Sequence, residues 1–290
     1  MNSISGPKSK DRWADARPTT FGDDGKGVNQ TMLYWAFLKL LRSIARIAIG
    51  AGLNCKQVVE LTKRAFTDVA FADFGIRQRD TNVARVAVIT GLTRKEAKRL
   101  RDSRNSDEYF GTLPNTVSEM ILAQWQADRA FCDSDGVPLP LRFDDGAASF
   151  KVLCAKYSGD IPPGAIRSEL LRLGRLRVDE NGMLHYVEDQ EQDKMKRTIE
   201  LIERFSLAAA ATAHNVTHEA DQAWPMVAVT SLPVRERDLS RVRLFSASQF
   251  AQTEKNTQDI CKAFETIFSS SDGEIRSGIV MFHYETEQAQ

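Results

Sequence analysis

Apolar residues recur at intervals of three and four from residue 31 onward, and this spacing predicts a long helix with one apolar face. The residues of that face are Leu33, Phe37, Leu40, Leu41, Ile44, Ile47 and Ala48. A core helix and a basic amphipathic surface helix both show this pattern, and we favour the core helix. Residues 1–30 are rich in Gly, Asp, Ser and Lys without apolar periodicity, which predicts a disordered arm.

A second helix is predicted directly after Asn54, which is a residue type that caps helix N-termini. The positions of this helix that are expected to point inward are Val58, Leu61, Ala65, Phe66 and Val69.

The segment VARVAVITGLTRKEAKRLRDSR, residues 83–104, has the residue types of a helix-turn-helix. Ala87 is small where the second helix would cross the first, Gly91 can adopt the positive φ of the turn, and Thr93 can cap the second helix. The segment IARIAIGAGLNCKQVVEL, residues 44–61, aligns with residues 83–100 without gaps. Residues 31–105 are therefore predicted to form a helical domain of paired helix-turn-helix units. Core helices that happen to meet at a glycine are the alternative.

Residues 105–116 are predicted to be a linker, and residues 116–189 show a different order of elements. A helix, a short extended segment and two helices are followed by alternating residues around Asn181 and Gly182, which is a strong hairpin signal. This order is typical of a winged helix.

Residues 190–290 are predicted to hold a helix, a strand in WPMVAVTSL, a second helix and a strand in SGIVMFHYE. Such an α+β unit would serve dimerisation or sensing. The expected fold class is mainly α, and α+β overall, with a paired helix-turn-helix bundle, a central winged helix and a C-terminal strand-helix-strand unit.

Composition is that of an ordinary globular chain, with 42% hydrophobic and 27% charged residues. Lys39, Arg42 and Arg46 interrupt the longest apolar run, which argues against a membrane span. The N-terminus lacks the apolar stretch of a secretory signal, and the four cysteines form no CxxC pair. A cytoplasmic protein is expected.

Charge is unevenly distributed although the formal net charge is zero. Residues 31–105 contain 15 Lys and Arg against 6 Asp and Glu, whereas residues 116–189 contain 8 against 12. Residues 190–290 contain 11 against 15. A basic N-terminal part is expected where one module meets a polyanion, and chance variation between domains is the alternative.

The predicted recognition helix, residues 93–104, concentrates these cations. Because recognition helices read bases with their N-terminal part, Arg94, Lys95 and Lys98 are expected to reach base edges, with Thr93 capping the helix. The expected phosphate contacts are Arg85, Arg99, Arg101 and Arg104. A solvated basic face without a ligand is the competing interpretation.

The winged helix is a second candidate DNA reader, through Arg167, Arg172, Arg175 and Arg177. Its wing tip, however, holds Asp179 and Glu180, which would repel phosphates, so a packing or partner role is favoured for it. Four residues separate His214 from His218, the spacing of a helical metal-ligand pair, but the glutamate of HExxH is missing. We therefore expect no enzyme, no metal and no cofactor.

The runs RVAVITGLTRKEAKRLRD and FKVLCAKYSGDIPPGAIRSELLRLGRL, together with residues 40–70, resemble an uncharacterised, mainly proteobacterial family, domain of unknown function 6502. The resemblance spans roughly residues 33–285 and implies a bacterial origin and helix-turn-helix or winged-helix character. It implies no catalytic or binding residue. The residues themselves favour a homodimeric transcriptional regulator that binds double-stranded DNA, and a protein–protein adaptor built on winged-helix scaffolds is the alternative.

Overall fold

The computed structural model describes residues 25–75, 81–103, 108–188, 192–228, 234–268 and 278–285. The chain divides into two compact units, one formed by Met32–Met195 and the other by Met1–Thr31 with Lys196–Gln290. The fold is mainly α-helical with one small antiparallel sheet, as the sequence predicts. Among the described residues, none of the helices combines the length and apolarity needed to cross a membrane.

Four helices form the N-terminal part: α1 (Gly25–Gly50), α2 (Cys55–Asp73), α3 (Val83–Thr90) and α4 (Arg94–Asp102). Helices α2, α3 and α4 pack on one another. Ala70 of α2, Val86 of α3 and Ala97 of α4 form the buried centre of this bundle. Residues 83–103 therefore form the second and third helices of a three-helix unit. Residue 104, the last of the predicted helix-turn-helix, lies outside the described residues.

The sequence-based prediction for α1 is wrong in two respects. The helix begins at Gly25, inside the stretch predicted to be a disordered arm, of which residues 1–24 lie outside the described residues. Its predicted core face is exposed at Leu33 and Phe37, and burial is reached near the C-terminal end at Ala48. The apolar spacing identified the helix correctly, but most of this helix leaves the bundle that would cover it.

The inward face predicted for α2 is wrong at three of its five positions. Ala65, Phe66 and Val69 are exposed, whereas Val58 and Leu61 are half-buried. The fully buried residues of this helix are Gln57, Thr67 and Ala70. Helix α2 turns its charged side toward α3 and α4, since that side forms the ion pairs between the helices.

Residues 108–188 adopt the predicted order of a winged helix. The elements are α5 (Glu108–Gly111), α6 (Val117–Ala127), α7 (Phe150–Tyr157), α8 (Pro163–Arg172), β1 (Leu176–Val178) and β2 (Leu184–Tyr186). Strands β1 and β2 pair antiparallel, and Leu141 forms an isolated bridge with Leu184 on the other side of β2. Trp125, Phe150 and Leu153 lie fully buried in the core between α6, α7 and the sheet.

The C-terminal unit contains α9 (Gln192–Thr217) and α10 (Leu239–Phe268). The two predicted strands do not form in the described residues 224–228 and 278–285. A strand needs a neighbour to satisfy its backbone groups, and within the described part of the chain these segments have no strand partner.

Gly91 offers a test of the turn between α3 and α4. Its φ is +72°, and a Cβ at this position would meet no heavy atom within 4 Å. We expect Gly91→Ala to lower the free energy of unfolding by about 1–2 kcal/mol, because left-handed backbone is costly for residues with a Cβ. Urea denaturation followed by circular dichroism measures this cost.

Gly164 is the matched control for this experiment. It lies inside α8, also with nothing within 4 Å of an added Cβ. Gly164→Ala should raise the free energy of unfolding by roughly 0.5–1 kcal/mol, since alanine favours the helix. Equal effects of the two substitutions would contradict the conformational explanation.

Candidate nucleic-acid interface

Helix α4 begins at a well-formed cap. Thr93 has extended backbone, and its hydroxyl accepts a hydrogen bond from the backbone N–H of Glu96 at 3.2 Å. Gly91 ends α3 in the left-handed region, and its N–H donates to the Ala87 carbonyl. Gly91 and Thr93 thus have the turn and cap roles that the sequence predicts for them.

An ion network ties α4 to α2. The guanidinium of Arg99 donates to both carboxylate oxygens of Glu96, at 2.9 and 2.7 Å, and to Glu60 at 2.8 Å. Lys63 pairs with Glu60 and lies 3.7 Å from Glu96. The hydrogen bond from Arg99 lowers the pKa of Glu96, and the hydrogen bond to Glu60 raises the pKa of Lys63. Glu96 and Lys63 are therefore held in their charged states.

Arg99 has a role different from the phosphate contact predicted for it. Its guanidinium is occupied by two carboxylates of the same chain, so in this arrangement it positions α4 on α2. Arg101 is exposed and pairs with its neighbour Asp102 at 2.8 Å. Arg104 lies outside the described residues.

Three cations of α4 remain available to a ligand. Arg94, Lys95 and Lys98 are exposed, and within the described part of the chain none of them has a hydrogen-bond or ion-pair partner. At the 100° turn of a helix, these residues lie within a narrow arc that begins at the capped N-terminus. Helix N-termini also carry a partial positive charge, which adds to the field of the side chains.

Arg85 lies one helix earlier, on α3. It is half-buried, and its Nε is enclosed without a hydrogen-bond partner among the described residues. An enclosed N–H of this kind is costly unless a partner is supplied from outside. The arrangement is compatible with a phosphate contact by Arg85, which stays a prediction.

Two of the candidate DNA-contacting residues of the winged helix, Arg167 and Arg172, make contacts within the chain. Arg172 of α8 donates to the Ile49 carbonyl at 2.9 Å and to both oxygens of Glu169. The guanidinium of Arg167 lies 5.4 Å from the centre of the Phe143 ring. Helix α8 therefore docks on the end of α1, in keeping with the packing role favoured from the sequence.

The acidic wing tip is also structured from within. The carboxylate of Asp179 accepts hydrogen bonds from the N–H groups of Asn181 and Met183 and lies 2.8 Å from the Nε2 of His185. The hydrogen bond with His185 is the main cause of the lowered pKa of Asp179. This carboxylate shapes the hairpin turn and remains negative near the place where a winged helix would approach phosphate.

Sequence reasoning missed Tyr109, because it lies in the segment taken for a linker. The ring is buried under the guanidinium of Arg64 at 4.8 Å, and its hydroxyl donates to the Glu60 carbonyl at 3.0 Å. Arg64 also donates to the Ser103 carbonyl. Two adjacent aromatic residues, Tyr109 and Phe110, give no helical periodicity in a short polar segment, so tertiary contacts were needed to find this anchor of α2.

His214 and His218 lie at the end of α9 with their rings stacked at 3.9 Å, and Trp224 stacks on the outer face of His214 at 4.1 Å. His214 is hydrogen-bonded to the Gln222 carbonyl, and Nδ1 of His218 is close to the His214 carbonyl. Stacked rings direct their nitrogen atoms sideways, away from a shared ligand position. The pair therefore holds the 218–224 turn against the helix. Within the described residues, no group of three or more His, Cys, Asp or Glu could hold a metal.

A protein-family model that matches residues 31–222 is described as a family of unknown function, DUF6502. No curated protein and no solved structure is similar enough to this chain to count as a match. The match covers most of α1 and all of α2–α9, and it ends at residue 222, shortly after α9. Since it spans well over half of the 290 residues, the chain belongs to the family of unknown function DUF6502.

Proposed function

We propose that the protein binds double-stranded DNA through α4, as a transcriptional regulator would. The observation that carries this proposal is the exposed set of Arg94, Lys95 and Lys98 at the capped start of the third helix in a three-helix unit. Recognition helices of this class lie in the major groove and contact bases with their N-terminal residues. Arginine and lysine there have the donors that match guanine.

The ion network behind α4 supports the same proposal. A helix that reads DNA must keep its orientation while it meets a dense row of negative charge. Glu60 and Glu96 neutralise Arg99 and tie α4 to α2, whereas Arg94, Lys95 and Lys98 have no ion-pair partner among the described residues. The domain's excess of cations, 15 against 6 over residues 31–105, adds long-range attraction to phosphate.

A protein–protein adaptor is the second candidate function. The observation that favours it is the surface of the winged helix, where Arg172 is bonded within the chain and the exposed positions Gly164, Ala165, Ser168 and Leu171 of α8 are uncharged. Such a helix suits a protein surface better than a phosphate backbone.

Fluorescence anisotropy with a random-sequence DNA duplex separates the two functions. Under the DNA-binding proposal, the logarithm of the affinity falls linearly with the logarithm of salt concentration, with the slope of roughly five or more phosphate contacts. Absence of binding at low salt would reject DNA binding and leave the adaptor function.

A further inference from the structure

Helices α1 and α2 share an unusual distribution of charge and exposure. In α2, the charged residues Glu60, Lys63 and Arg64 lie on the side that packs against the rest of the unit, where they form ion pairs and a cation–π contact. The opposite side is apolar and exposed at Val59, Phe66 and Val69. A solvated helix surface has the reverse pattern, with charges outward.

Helix α1 shows the same segregation. Leu33, Phe37, Leu40 and Leu41 are exposed along one side, at 53%, 55%, 44% and 50%. The cations of the helix, Lys39, Arg42 and Arg46, lie on the other side at the 100° turn of a helix. The seven large exposed apolar residues of the two helices are here called the apolar face: Leu33, Phe37, Leu40, Leu41, Val59, Phe66 and Val69.

The size of the apolar face matches that of a protein interface. A large apolar side chain at half exposure leaves roughly 100 Å² uncovered, so seven such residues present on the order of 700 Å². A stable interface of standard size buries about 800 Å² on each partner.

We infer that the apolar face is the interface of a homodimer, in which α1 of one copy lies on α2 of the other. Phe37 and Phe66 are about equally far from Gly52 along the chain, on opposite sides of the turn between the helices. They would meet if α1 and α2 packed as a hairpin, yet both are exposed, so the helices do not cover each other within one copy. In a symmetric dimer, α1 of each copy would cover α2 of the other copy.

Charge placement is compatible with a second copy. Because the cations of α1 lie on the side away from its apolar residues, two copies can bring their apolar side chains together without bringing these cations into contact. The inference does not depend on DNA binding, and its test contains no DNA.

Sedimentation velocity over a concentration series tests the dimer. The wild-type chain should sediment as a dimer at micromolar concentration, and Phe66→Glu should raise the dimer dissociation constant at least about 100-fold, because a charge would then be buried without a partner. Phe110→Glu is the matched control, since Phe110 is equally exposed, at 61% against 59% for Phe66, but lies on α5 outside the apolar face. It should leave the dissociation constant within about two-fold of the wild-type value.

A charge exchange tests the pairing of α1 with α2. Phe37→Lys alone should weaken the dimer about as much as Phe66→Glu, whereas the double variant with both substitutions should dimerise more tightly than either single variant. Circular dichroism confirms that each variant folds. A monomeric wild type at all concentrations, an unaffected Phe66→Glu dimer, or additive losses in the double variant would overturn the inference.

Discussion

Replacing Arg94, Lys95 and Lys98 together with alanine should lower the affinity for duplex DNA about 100-fold at moderate salt, with the fold intact. These three cations are exposed and, among the described residues, have no partner within the chain. Each removed phosphate contact lowers the salt slope by about 0.9, so the slope should fall by up to about 3. Fluorescence anisotropy across a salt series measures both quantities.

A matched triple variant distinguishes the loss of contacts at α4 from the effect of a lower net charge on the protein. Lys196, Arg197 and Arg204 of α9 are also exposed, and their replacement by alanine changes the net charge by the same amount. This control should retain DNA affinity within a few-fold, because the removed charges lie outside the proposed interface. If both triple variants lose affinity equally, the assignment of α4 as the recognition helix fails.

Arg99 is expected to behave differently from its neighbours. Since it holds α4 against Glu60 and Glu96, its loss should affect the stability of the three-helix unit as well as DNA binding. The three cations at the start of α4 should affect binding alone. Measuring both the free energy of unfolding and the DNA affinity of the same variants therefore distinguishes a residue that positions α4 from residues that contact DNA.

Trp125→Ala should lower the free energy of unfolding by about 3–5 kcal/mol, which is a large part of the stability of a domain. The ring is fully buried, lies 5.9 Å from the Phe150 ring and 6.4 Å from the Tyr186 ring, and donates from Nε1 to the Leu139 carbonyl at 3.1 Å. Its loss opens a cavity at the centre of the winged helix and leaves this carbonyl without its donor. Urea denaturation followed by circular dichroism measures the change.

Phe110→Ala is the control for this prediction. It also removes a large aromatic ring, but one that is exposed and packs edge-on against Tyr109. The cost should stay below about 1 kcal/mol. A comparable loss for both variants would show that the winged-helix core does not depend on Trp125 as described.

Local signals explain the parts of this fold that were predicted correctly. The turn at Gly91, the cap at Thr93 and the hairpin at Gly182 depend on residues within four positions of one another. The same holds for the helices themselves, since apolar spacing and caps act over one or two turns. DNA binding by α4, the homodimer and the cytoplasmic location stay predictions.

The sequence-based predictions that were wrong are those that depend on which elements of the chain pack against one another. The apolar spacing of α1 and α2 shows that each helix has a face to bury, but it does not show what covers that face. Phe66 was expected in the core, yet α2 turns Thr67 and Ala70 inward instead. The described parts of the two predicted strands, residues 224–228 and 278–285, form no strand for a similar reason, because a β pattern needs a paired neighbouring strand.

The amino-acid sequence therefore determines the helices, the turn chemistry and the basic charge of the N-terminal part, all of which follow from short-range backbone and side-chain preferences. The tertiary structure decides which cations are available to a ligand and which are paired within the chain. Arg99 and its neighbour Lys98 are both exposed cations in the sequence pattern. In the structure, Arg99 pairs with Glu60, which is 39 residues away along the chain. Ion pairs and buried faces depend on residues that are distant along the chain, and only folding brings those residues together.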